Sequence, residues 1–201
     1  MKGLPSDWRE QIISRMPAYP TAALTAAVTG CRPAELVHGV KLSIVDGMLV
    51  AYIKGAKVDV EKGKGQEWRQ LSWQADHSST LLQDLLRQVR LTGGEQIVQI
   101  KNASNFSKSM SNAGKRIWPK RKATVTPYCM RHQVAADMKS DGGLTGAEIS
   151  AALGHQSDVT KSTYGHANMG KRGGVSPSKV IAARTVKIKA LSRAANKKVK
   201  P

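Results

Sequence analysis

The sequence predicts an α+β fold, mainly α-helical, with a small three-stranded antiparallel sheet. Apolar residues recur at helical spacing in both flanks of the chain, whereas a central block from 41 to 73 holds short β-branched and aromatic runs. Asp46-Gly47 and a Gly-rich stretch from Glu61 to Gly65 punctuate that block as turns between strands. With 201 residues, 40% of them hydrophobic, the chain can bury a sizeable core in one domain.

Each element has a local reason. Asp7 and Glu10 have capping-box spacing ahead of the stripe Trp8, Ile12, Ile13 and Met16. An Ala-rich helix follows from Thr21 to about Val28 and stops at Gly30; Pro33 opens a short helix to about His38. Strands are expected at Lys41 to Val45, Met48 to Ile53 and Trp68 to Trp73. Helices resume at Ser79 to Arg90, Asn105 to Trp118, Pro127 to Lys139 and Thr145 to Leu153, with a short piece around Tyr164. Gly170 to Pro177 reads as a linker, and Lys179 to Ala195 as a basic amphipathic helix built on Val180, Ile181, Val186, Ile188 and Leu191. The expected organisation is one domain over residues 1–169 and a basic tail over 170–201.

Composition narrows the function. Lys plus Arg number 32 against 14 Asp plus Glu, a formal charge of +18, and no acid follows Asp158. A folded chain with that surplus expects a polyanion, nucleic acid first and an anionic membrane surface second. Two cysteines, Cys31 and Cys129, exclude a disulfide framework, and no CxxC pair suggests zinc. No apolar run approaches a membrane span, and the N-terminus lacks a signal-peptide apolar core, so a cytoplasmic protein is expected.

Three segments carry candidate chemistry. In Thr29-Gly30-Cys31-Arg32-Pro33-Ala34-Glu35-Leu36, Arg32 stands at a helix start. Alone it reads either as a surface pair with Glu35, worth little, or as a guanidinium aimed with the helix terminus at a phosphate. In Thr126-Pro127-Tyr128-Cys129-Met130-Arg131-His132, Arg131 lies one turn into a helix; Cys129 and His132 share a face but lack a third metal ligand. In Leu153-Gly154-His155, Gly154 ends a helix and precedes His155, and Tyr164 follows nine residues later.

Taken together, in order and spacing, these segments resemble the catalytic domain of the tyrosine recombinase (phage integrase) family over roughly residues 6 to 166. The first arginine of that family sits in TGxRxxEL, here Arg32; the second in HxxRH, here YxxRH with Arg131; the LGH histidine is here His155 and the nucleophilic tyrosine Tyr164. Lys54-Gly55-Ala56-Lys57 matches the family's hairpin KGxK, with Lys54 in the catalytic position. The resemblance implies DNA strand cleavage through a 3′-phosphotyrosyl bond, without metal, cofactor or ATP. Arg32, Arg131 and His155 would hold the phosphate, and Lys54 would protonate the leaving 5′-oxygen. Tyr128 stands where the family usually has the histidine thought to act as general base; a phenol is a poor base at neutral pH but still donates a hydrogen bond. Lys57, Lys161, Lys171 and Arg172, cations near these motifs, are expected to contact the DNA. The expected partner is double-stranded DNA, with a monomer in isolation, a homotetramer on DNA and no membrane association. The basic tail would pack into a neighbouring protomer or contact DNA, and the family's N-terminal core-binding domain is expected to be absent. The alternative from another class is a non-catalytic DNA-binding remnant.

Overall fold

The computed structural model describes residues 3–59, 61, 64–157, 170 and 174–188. Among these it has seven helices and one antiparallel sheet. The sheet has five strands, a correction to the three expected.

Helix α1 (Trp8–Ser14) buries Trp8 and Ile12, as its periodicity indicates. The expected capping box does not form: Asp7 has φ −95° and ψ 20°, not the extended cap geometry, and its carboxylate accepts from Gln11 Nε2 at 3.1 Å instead. Helix α2 (Pro20–Thr29) buries Ala22, Ala23, Ala26 and Ala27, small side chains that let it pass closely through the core. Gly30 ends it with φ +65°, and a Cβ there would press on the Val134 side chain at 3.3 Å. Helix α3 (Pro33–His38) follows at once.

Strands β1 (Val40–Val45) and β2 (Met48–Lys54) join through Asp46-Gly47, both residues with positive φ, which matches the twist of a tight hairpin. Strand β2 pairs next with β3 (Trp68–Gln74), so Ala51 faces Leu42 on one side and Leu71 on the other, all three fully buried. Strand β4 (Glu95–Val98), not anticipated, pairs with the outer edge of β1; β5 (Lys179–Ala182) pairs with β3. The order is β4-β1-β2-β3-β5.

Strand β5 corrects the helix expected over 179–195. The open edge of β3 captures this stretch: Ser178 N donates to Ser72 O at 2.8 Å and Ala183 N to Trp68 O at 3.0 Å. Adjacent Val180 and Ile181, both β-branched, suit extended backbone. Residues 189–195 lie outside the described residues. The stretch expected as a linker is also packed where described. Gly174 to Pro177 are buried, and a Cβ on Gly174 would lie 2.5 Å from Asp137 Cγ.

The remaining helices, α4 (Thr80–Leu91), α5 (Ala103–Ile117), α6 (Pro127–Asp141) and α7 (Gly146–Ala152), match expectation within two residues at each end. Helix α4 lays Leu81, Leu82, Leu85, Leu86 and Val89 into the core; α5 is capped by Asn102, and α7 by a Thr145–Glu148 capping box. The short helical piece expected around Tyr164 lies outside the described residues. A buried ion pair, Arg9 Nη1 to Asp137 Oδ2 at 3.0 Å, ties α1 to α6, and Gln133 Nε2 donates to Asp137 Oδ1 at 2.8 Å. Among the described residues no helix is long and apolar enough to cross a membrane.

Candidate active site

Arg32 caps α3. Its backbone N–H donates to Glu35 Oε2 at 2.7 Å and its Nη1 to Oε1 at 2.8 Å. The surface-pair reading is corrected here: Glu35 is wholly buried and the Arg32 side chain only 9% exposed. Glu35 also receives a second arginine that motif reading missed. Arg69 on β3 donates Nη1 to Oε1 at 3.0 Å, Nη2 to Oε2 at 2.8 Å, and Nε to Ala152 O at 2.7 Å. The signal for it was parity: Arg69 shares a strand face with Leu71 and Trp73, both fully buried. Burial pushes the Glu35 carboxyl up, but Arg69, Arg32 and Arg131 overcome that and hold it down at about 2.

Arg131, one turn into α6, is 1% exposed. It donates Nη1 to Gly30 O at 2.8 Å, Nη2 to Leu153 O, and Nη2 to His155 Nε2 at 3.1 Å. The carbonyls that receive it come from the two glycine turns that punctuate the motifs. Gly154 leaves α7 with φ +68°, and a Cβ there would lie 3.0 Å from Arg69 Nη1 and 3.4 Å from Arg32 Nη1. A side chain at this position would enter the space between the two guanidinium groups. His155 follows, 7% exposed, its N–H on Ser150 O at 2.8 Å. Burial, then Arg131, Arg32 and Arg69, push its imidazole down to about 3, so it is neutral at pH 7. Arginine only donates, so Nε2 accepts and the ring proton is assigned to Nδ1. Among the described residues, three guanidinium groups against one carboxylate give this cluster a net charge of +2.

The other expected residues sit around this cluster or outside the described residues. Lys54, exposed, ends β2 opposite Trp68, one position beyond the Ile53–Arg69 pair. Lys57 is exposed in the hairpin loop. Gly55 is required there, because a Cβ would meet Gln66 O at 1.9 Å. Buried Gln66, also unanticipated, donates Nε2 to His155 O at 3.1 Å and to Arg184 O at 2.8 Å, joining the hairpin, the His155 turn and the segment after β5. Tyr128 is 42% exposed near the start of α6. His132 is half-buried and lowered below its ordinary value by burial and Arg131. Cys31 is inert, its thiol pushed up to about 12 by burial and then by Glu35. Cys129 Sγ accepts from Thr126 N at 3.4 Å. Among the described residues no three His, Cys, Asp or Glu are placed to hold a metal ion. Tyr164, Lys161, Lys171 and Arg172 lie outside the described residues. The described positions that flank Tyr164 in sequence are Ser157, two residues beyond His155, and Gly170, whose Cβ would lie 2.3 Å from Ala136 O of α6.

One further feature escaped motif reading. No acid occurs between Glu95 and Asp137, a span that holds Lys101, Lys108, Lys115, Arg116, Lys120 and Lys122, all exposed, on and around α5. No family model matches the chain, and neither a curated protein nor a solved structure matches it.

Proposed function

We propose that the protein breaks and rejoins double-stranded DNA as a tyrosine-type site-specific recombinase, through a 3′-phosphotyrosyl intermediate at Tyr164. The observation that carries this reading is the meeting of residues from distant segments. Arg131 donates to His155, while Arg32 and Arg69 share Glu35, in one cationic neighbourhood.

The chemistry follows from those groups. The Tyr164 phenol gives its proton to solvent and its oxygen bonds to phosphorus as the bond to the 5′-oxygen breaks; Lys54 gives that oxygen a proton and regains one from solvent. Arg32, Arg131 and the Nδ1–H of neutral His155 hold the equatorial phosphate oxygens, where charge develops. Phenol ionises near pH 10, so phenolate at pH 7 costs about 4 kcal/mol. A unit positive charge at about 4 Å contributes up to roughly 4 kcal/mol at an effective dielectric near 20. Net positive charge at the site thus supports activation of Tyr164 even with Tyr128 in place of the usual base. Tyr128 then donates its hydroxyl to phosphate. The exposed cations around α5, with Lys57, Lys161, Lys171 and Arg172, take the flanking DNA backbone, and protomers assemble as a tetramer on it.

A nicked suicide duplex tests the reading, because loss of the short cleaved fragment traps the covalent adduct. Wild type should form it; Tyr164→Phe, with a native thermal melt, and Arg131→Lys, assayed below its melting temperature, should not. Adduct formation by either variant overturns the assignment. The second reading, a DNA-binding protein without the cleavage step, is favoured by Tyr128 at the usual base position. It predicts retarded duplex and no adduct.

A further inference from the structure

We propose that Arg69 is a positioning residue that keeps Arg32 available to a phosphate by taking up the charge of Glu35. This rests on the reading that Arg32 holds the scissile phosphate. Arg69 has all three guanidinium nitrogens engaged within the protein. It is wholly buried, its two Nη atoms lie on Glu35 and its Nε on Ala152 O. Glu35 in turn is saturated: Oε1 accepts from Arg32 Nη1 and Arg69 Nη1, and Oε2 from Arg32 N and Arg69 Nη2.

That sharing decides the charge of the site. With Arg32 and Glu35 alone, the carboxylate would neutralise the guanidinium it positions, and an incoming phosphate would meet a closed ion pair. The fork of Arg69 on both carboxylate oxygens offsets the negative charge from behind. Arg32 is then oriented through one Nη1 contact while its positive charge stays uncompensated. The Nε bond to Ala152 O adds a mechanical link, because Ala152 ends α7 just before the Leu153-Gly154-His155 turn. One side chain on β3 therefore sets both the charge of Arg32 and the seat of His155.

The test separates charge compensation from ordinary structural support. On the suicide duplex, Arg69→Gln should slow adduct formation about a hundredfold, the scale of losing one preorganised cationic donor. Adding Glu35→Gln should recover about tenfold, because no carboxylate then remains to neutralise Arg32. Arg69→Lys, which restores charge without the fork, should fall between Arg69→Gln and wild type. A structural role alone also predicts recovery in the neutral pair, because the stranded buried carboxylate is what destabilises Arg69→Gln, but it predicts rates that follow the melting temperature and an unchanged affinity for phosphate. Wild-type rates in Arg69→Gln, or a double variant no faster than the single one, overturn the proposal. If Arg69→Gln fails to fold, the neutral pair carries the test against Glu35→Gln alone, and a folded but inactive pair overturns it. Affinity for inorganic phosphate, followed by the His155 ring resonances, gives a readout independent of cleavage. Arg69→Gln should weaken it severalfold, and an unchanged affinity contradicts the proposal. Phosphate binding that depends on Arg69 in a protein forming no adduct would instead remove the recombinase reading and leave Arg69 in its role.

Discussion

His155 makes the acid side of the stability profile a direct test of the cluster. Its folded-state value near 3 lies well below the ordinary imidazole value of 6.5, because burial and then Arg131, Arg32 and Arg69 disfavour the imidazolium. The unfolded chain binds the proton at 6.5 and the native protein does not, so stability falls as pH drops through that window. From pH 6.5 to 4.5 the loss should be about 2 to 3 kcal/mol, at 1.36 kcal/mol per pH unit for one fully linked proton. Glu35 has the same sign in a lower window. Held at about 2 against 4.5, its contribution is fully present above pH 4.5 and is lost as pH falls toward 2. Urea titrations at pH 7, 5.5 and 4.5, followed by circular dichroism, measure the slope. His155→Gln should flatten most of it between pH 6.5 and 4.5, whereas His132→Gln, at a half-buried residue, should flatten less. A His155→Gln protein with the wild-type slope would refute the buried, neutral imidazole and the cationic neighbourhood that keeps it so.

Other perturbations have separate readouts. Gly154→Ala forces a side chain into a left-handed turn and places a Cβ 3.0 Å from Arg69 Nη1, so adduct formation should be lost and thermal stability should drop by about 1 to 2 kcal/mol. Asp137→Ala leaves buried Arg9 without its ion-pair partner in the core; urea unfolding should show a loss of about 3 to 5 kcal/mol. Lys54→Ala should slow cleavage strongly on a 5′-oxygen substrate and much less on a 5′-thiol leaving group, which needs no proton; equal slowing in rapid-quench assays removes its role as acid.

What was legible in the sequence was mostly what glycine, proline and periodicity dictate locally. Gly30, Asp46-Gly47 and Gly154 mark real turns because the backbone there needs positive φ. Helices α4 and α5 follow from apolar stripes that the core then buries. Strand β5 was not legible because Val180 and Ile181 fit an amphipathic helix as well as a strand; the open edge of β3, a tertiary fact, decided between them. Strand β4 is four residues long and half Glu and Gln, too short and too polar to stand out before β1 offers it a partner. Arg32, Arg131 and His155 were legible as motif positions, and they do converge among the described residues. Arg69 was not, since nothing local separates a buried arginine bound to Glu35 from a solvated one. Only its strand parity with Leu71 and Trp73 marked it.

Peptide mapping of the covalent adduct by mass spectrometry tests the central claim most directly. Protein incubated with a nicked duplex should carry a nucleotide 3′-phosphate on the peptide containing Tyr164, and on no other. Attachment at a different side chain, or retarded duplex with unmodified peptides throughout, would contradict it.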